Sequence, residues 1–141
     1  MKNSFFVFLI MIFSKFSALH AQNLSQHLWK NRVILILSED NAAFERQMLA
    51  FKTNEKGMNE RSLIVYHLKP DEYQQVIPKS DVQKSTNLFK KYKQANTPFE
   101  VILIGLDGGI KLRQKGFLSC EKLFATIDSM PMRSAEIKNR D

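Results

Sequence analysis

Cysteine is nearly absent: the 141 residues contain one, Cys120. A single thiol excludes an intramolecular disulfide and any CxxC pair. Histidine is almost as scarce, with His20, His27 and His67, and no two histidines or cysteines stand at metal-ligand spacing. No local pattern pairs His27 or His67 with a serine and a carboxylate, although such triads assemble in space rather than in sequence. Five glycines and four prolines leave no flexible linker or low-complexity tract, and there are no internal repeats. No metal site or cofactor is therefore expected. Nucleic acid is not an expected partner either, since no zinc-ligand spacing or RNA-binding aromatic signature occurs.

What is present is one domain's worth of chain behind a short leader. Lys2 supplies a positive start, Phe5 to Phe13 is an unbroken apolar run, and Ala21 precedes Gln22 as the small residue at a cleavage point. This pattern is that of a signal peptide over residues 1–21, followed by a single domain over 22–141 in the periplasm or outside the cell. The apolar run is shorter than the about 20 residues a bilayer span needs, so no transmembrane span is expected after its removal. Removing 1–21 takes away Lys2 and Lys15 and no acids, lowering the formal charge from +7 to +5. The densest basic cluster, Lys90-Lys91-Tyr92-Lys93, reads as the solvated face of a helix, with an anionic surface or polymer as the functional alternative.

Trp29 to Leu37 ends in a continuous apolar run, as a strand buried on both faces does. The capping-rich cluster Ser38-Glu39-Asp40-Asn41 follows. A helix carries Phe44, Met48 and Phe51 on one face and ends between Asn54 and Gly57. Arg61 to Leu68 is a second strand stopped by Pro70. Residues 71–84 are polar and poorly periodic, and read as a long loop with a short helical turn. Ser85 to Ala95 reads as a helix, Phe99 to Ile104 as a third strand, and Ile110 to Gln114 as a half-exposed fourth. Ser119 caps a last helix through Leu123, Ile127 and Met130, with Leu118 stapling against Leu123 and Pro131 at its stop. The order β-α-β-α-β-β-α gives an α/β fold: a mixed four-stranded sheet with helices on both faces, as in thioredoxin.

Between the last two strands, Asp107-Gly108-Gly109 reads as a type I′ or bulged hairpin turn. A calcium loop needs more spaced oxygen ligands, and a phosphate loop needs a helix after the glycines, where Ile110-Lys111-Leu112-Arg113 alternates as a strand.

LWKNRVILIL, VILIGLDGGIKLR and LFATIDSMPMR, at this spacing, resemble the DUDES domain over roughly Leu24 to Lys138. That family is a thioredoxin-like, peroxiredoxin-like module of unknown function, found alone in exported bacterial proteins and in extracellular proteins such as equarin and the sushi-repeat proteins. The resemblance implies the same fold and an extracytoplasmic setting. It makes Asp107, Gly108, Gly109, Lys111, Asp128, Met130, Pro131, Met132 and Arg133 the family-motif residues. Arg133 is expected to clamp the chain by meeting Asp128 or Glu136; the alternative is a docking patch made with Met132.

A thioredoxin-like fold places its reactive thiol where the first strand meets the first helix, because the helix N-terminus stabilises a thiolate. Here that junction is LSEDNAAFERQ, without cysteine. A non-catalytic module that binds an unknown protein or extracellular polymer is the first expectation. Its binding groove would lie at Ser38, Glu39, Asp40 and Asn41, facing Thr97 and Pro98. By fold analogy the Thr97–Pro98 bond would be cis; base rates favour an ordinary trans proline. The alternative is an atypical thiol-dependent or peroxiredoxin-like oxidoreductase using Cys120, which stands at a helix start.

Overall fold

The computed structural model describes residues 24–85, 87–94 and 96–140; the expected signal peptide, residues 1–21, lies outside the described residues. A 3₁₀ turn at Leu24–His27 leads into β1 (Arg32–Ser38). Then come α1 (Asn41–Thr53), α2 (Glu55–Glu60), β2 (Leu63–Leu68), β3 (Glu72–Ile77), β4 (Gln83–Lys84) and α3 (Asn87–Tyr92). The chain closes with β5 (Phe99–Ile104), β6 (Ile110–Lys115), α4 (Cys120–Asp128) and α5 (Pro131–Lys138).

The apolar runs dictate the centre of the sheet. Every residue of β1, β2 and β5 is buried, because helices cover both faces. β1 pairs parallel with β2, in register Val33 to Ile64, and antiparallel with β5, Val33 to Ile104. On one face Ile34, Ile36, Val65, Val101 and Leu103 pack with Met48 and Phe51 of α1, Met58 of α2, and Leu123 and Ile127 of α4. On the other, Val33, Leu35, Leu37 and Ile102 pack with Leu88 of α3. Burying each such side chain contributes about 1.5–3 kcal/mol before chain entropy is counted. Leu118 and Leu123 are both fully buried around the Ser119 cap, whose hydroxyl accepts from the Lys122 N–H at 3.2 Å. Among the described residues no helix is long and apolar enough to cross a membrane.

The α/β, thioredoxin-like class stands, but the sheet has six strands rather than four, in the order β4-β3-β2-β1-β5-β6. The extra pair comes from 71–84, expected as a loop. β3 lies antiparallel on the open edge of β2, and its backbone pairing, not an apolar run, makes it a strand. Tyr66 Oη also donates to Gln75 Oε1 at 3.0 Å across that pair. Three smaller corrections concern boundaries. Trp29 precedes the first strand, with a positive φ of 62° and its side chain exposed. Asn54 ends α1, yet α2 continues through Gly57 because Met58 is drawn into the core. A Cβ on Gly57 would stand 2.6 Å from the Phe124 ring, so only glycine lets α2 approach α4 this closely. Pro131 both follows the end of α4 and opens α5 as its first residue, where a missing N–H costs nothing.

Candidate functional site

The β1–α1 junction is built around Asp40. Its Oδ1 accepts from the Ala42 and Ala43 N–H groups at 2.9 and 3.1 Å, capping α1. Ser38, buried, donates through Oγ to the Asp40 carbonyl and accepts from the Asp40 N–H, both at 3.0 Å. Beneath it His67 bonds the Ser38 carbonyl through Nε2 at 3.0 Å and stacks on Phe44 with ring centroids 3.8 Å apart. Burial pushes the His67 pKa down, outweighing the carbonyl bond, so the ring is held neutral. His67 therefore orients backbone, and among the described residues it meets no serine hydroxyl. The helix N-terminus, the one feature here that stabilises an anion, is already taken by the protein's own carboxylate.

Ser38 pairs with Phe99 across the sheet, so Thr97 and Pro98 lie at the same sheet end as Glu39 and Asp40. The two halves of the expected groove are thus brought together. The cis peptide bond among the described residues is Ile77–Pro78; Thr97–Pro98 is not cis. Lys93 Nζ bonds the Thr97 carbonyl and fixes this loop.

Cys120 occupies the first position of α4, but it is only 8% exposed and its Sγ donates to the Ala50 carbonyl at 3.4 Å. Burial pushes the thiol pKa up. Ala50 lies ten residues along α1 from Asp40, roughly 15 Å at the helical rise, so Cys120 is remote from the β1–α1 junction. Among the described residues no group of three or more His, Cys, Asp or Glu is placed to hold a metal.

The two motif segments converge instead on a different part of the molecule. Arg133 is 4% exposed and bonds Asp128 Oδ1 at 3.3 Å, Glu136 Oε2 at 3.1 Å and the Glu60 carbonyl at 3.0 Å. Both expected acidic partners are engaged at once, and its burial removes Arg133 from any surface patch; Met132 stays exposed. Two arginines extend the cluster. Arg61 grips Asp128 through Nε and Nη2 at 3.0 and 2.6 Å. Arg32, 1% exposed, grips Glu136 at 2.9 and 3.3 Å and bonds the Arg61 carbonyl at 3.0 Å. The bonds from Arg61 hold the Asp128 pKa below the usual carboxylate range. Burial alone would raise that of Glu136, but Arg32 and Arg133 together lower it. Glu60 stands farther off, 3.9 Å from Arg61, with its carboxylate half exposed.

Beside this cluster a cavity of about 460 Å³ is bounded by Arg32, by 105–107 and Lys111 of the hairpin, by Ser129 and Met130 of the α4–α5 link, and by Pro131 and Met132 of α5. The hairpin takes the bulged form. Gly108, at φ 81°, is its left-handed residue; Asp107 Oδ1 accepts from the Gly109 N–H at 3.0 Å, and Lys111 Nζ bonds Asp107 Oδ2 at 2.9 Å. Sequence reasoning missed Arg32, Arg61 and the buried pair Glu100–Arg113, whose carboxylate is fully buried and 2.7 Å from the guanidinium. The one legible signal was a charge at the head of an otherwise apolar strand, at Arg32.

Residues 23–136 match the family described as Domain of unknown function (DUF4174). Among solved structures, the reduced 2-Cys peroxiredoxin of Plasmodium vivax superposes with a TM-score of 0.56 at 14% identity, over 80% of this chain and 85% of that one. The mitochondrial 2-Cys peroxiredoxin of Plasmodium falciparum gives 0.52 at 15% identity, over 79% and 82%. These likenesses establish the fold. No curated protein matches the sequence.

Proposed function

The chain belongs to the DUF4174 family of unknown function, and we propose that within it this protein is an exported, non-catalytic binding domain on a peroxiredoxin-like frame. The carrying observation is the capped junction. At the helix N-terminus where a thioredoxin-like fold activates a thiol, the Asp40 carboxylate accepts two backbone N–H groups. A second carboxylate, Glu39, and the absence of a thiol there support the same reading. The leader-like residues 1–21 support export, and the motif likeness to the DUDES domain supports an extracytoplasmic role toward a protein or extracellular polymer.

The competing reading uses Cys120, whose place at the start of α4 is its support. Its burial and its bond to Ala50 weigh against it. Peroxide reduction and insulin-disulfide reduction, measured on the wild type and on Cys120→Ser, separate the two. The binding reading expects no turnover above background in either protein. Turnover in the wild type that disappears in the serine variant overturns it. N-terminal sequencing of the protein recovered after expression of the full chain tests export, with Gln22 expected as the first residue.

A further inference from the structure

The basic cluster Lys90-Lys91-Tyr92-Lys93 stands at the end of α3, and the fold sets it against β6. Arg113 Nη1 bonds the Tyr92 carbonyl at 2.9 Å and ties the last turn of α3 to that strand. Lys115 lies two residues from Arg113 along β6, so strand alternation puts it on the same face. Neither segment brings an acid: no Asp or Glu occurs between Asp81 and Glu100, or between Asp107 and Glu121. Glu100 is engaged by Arg113 at 2.7 Å, and Asp107 by Lys111 at 2.9 Å. Lys90, Lys91, Lys93 and Lys115 form no ion pair among the described residues. Lys90, Lys91 and Lys115 are exposed, and the carbonyl that Lys93 meets leaves its charge uncancelled. Residues 22–141 carry a formal charge of +5, and with these four lysines set aside the rest is one charge from neutral.

These lysines are strung along the sheet rather than gathered at one point. Lys91 borders Gly105 and Gly108 of the hairpin, whereas Lys93 bonds Thr97 and Lys115 pairs with Glu100 toward the other end of β5. The level of Gly105 and that of Glu100 are roughly 17 Å apart at the rise of an antiparallel strand. A small anion meets one or two charges spread over such a length, while a linear polyanion meets them all. Beside Lys91 a cleft of about 240 Å³ is lined by Ser25, His27 and Asn31, whose side chains are of the kinds that exchange hydrogen bonds with hydroxyl groups. α3 exposes no large apolar side chain, so it offers nothing to insert into a lipid layer.

We propose that the α3–β6 face binds a linear acidic polysaccharide, its anionic groups along Lys90, Lys91, Lys93 and Lys115 and its hydroxyls at the cleft beside Lys91. This rests on the binding reading above and names the class of polymer it addresses. Carboxylated and sulfated glycans share that chemistry.

The test uses oligogalacturonate and a sulfated dextran oligomer, with neutral dextran as the uncharged control. Each is titrated into protein recovered from expression of the full chain and followed by backbone amide shifts. Saturable binding of a charged glycan is expected, with shifts centred on 89–93 and 113–116, and no response to neutral dextran. Response to one charged glycan alone assigns its anionic group; response to both assigns the array of charges irrespective of the anion. The triple variant Lys90→Gln, Lys91→Gln and Lys115→Gln changes only exposed side chains, so it keeps the fold while weakening binding at least about tenfold. The control triple Lys52→Gln, Lys56→Gln and Lys138→Gln removes the same charge from exposed positions elsewhere and should bind within about twofold of the wild type. The proposal is overturned if neither charged glycan saturates, if neutral dextran binds as well, or if the two triple variants weaken binding alike. Capture by vesicles of phosphatidylglycerol and phosphatidylcholine without response to either glycan would also overturn it, in favour of a lipid surface. Failure here leaves the peroxide and disulfide assays of Cys120→Ser to judge the non-catalytic reading independently.

Discussion

Replacing Asp40 by alanine removes the acceptor that two N–H groups of α1 share, at 2.9 and 3.1 Å. Nothing else in the junction compensates, because Ser38 Oγ is engaged with the Asp40 backbone. Loss of such a cap costs about 1 kcal/mol. With an unfolding entropy of about 2.1 cal/mol/K per residue, a domain of this length loses about 4 °C in Tm. Asp40→Asn keeps an oxygen acceptor and loses only the charge facing the helix dipole, about 0.5 kcal/mol, so its Tm falls by about 2 °C. Calorimetric melts of the three proteins at pH 7 measure both steps. A Tm for Asp40→Ala within about 1 °C of the wild type refutes the reasoning, because the carboxylate would then not be holding the helix start. An asparagine variant less stable than the alanine variant would refute it equally, since the acceptor oxygen would be contributing nothing.

Arg113→Leu strands the Glu100 carboxylate, which is fully buried with Oε2 already unpartnered; about 3–5 kcal/mol should be lost in urea unfolding, and the double change with Glu100→Gln should recover part of it. Gly108→Ala forces a left-handed residue at φ 81° and places its Cβ 2.7 Å from Leu28 Cδ2, whereas Gly116→Ala, at φ 84°, meets nothing within 4 Å. Both pay the strain of about 1–2 kcal/mol, and the Gly108 variant should melt lower than the Gly116 variant. Stability should fall with acid in two windows. His67 has a depressed pKa in the fold, so the unfolded chain takes up the proton first and stability declines as pH drops below the ordinary histidine value of 6.5. Asp128 and Glu136 are likewise depressed, by their arginines, so their contribution is present above the ordinary values of 3.8 and 4.5 and is lost as pH falls through the lower folded values. Urea midpoints between pH 8 and pH 3 read both declines; a midpoint flat across pH 7 to 5 would contradict the His67 assignment.

The parts of the fold that were legible in the sequence are those whose signal is local. β1, β2 and β5 announce themselves because full burial on two faces demands unbroken apolar runs. The hairpin is marked by Asp107-Gly108 and the start of α4 by Ser119. β3 and β4 were not legible, since an edge strand of half-buried polar residues is specified by the neighbour it pairs with. The Arg133 clamp was visible because both acids lie within five residues of it. Its extension was not: Arg32 meets Glu136 across 104 residues and Arg61 meets Asp128 across 67, and no local pattern records such distances. The groove at Ser38 to Asn41 and Thr97-Pro98 was located by analogy with the fold. The structure assembles its two sides and puts the cluster of arginines and carboxylates beside the motif segments, at the other end of β1.

The central claim is that the fold keeps a thioredoxin-like frame while providing no activated thiol. The rate of Cys120 alkylation by iodoacetamide, followed against pH on the native protein and on the same protein in urea, addresses it most directly. Burial at α4 should make the native thiol slower than the unfolded one at every pH, with its midpoint displaced upward. A native rate above the unfolded rate at neutral pH, with a midpoint shifted downward, would contradict the account.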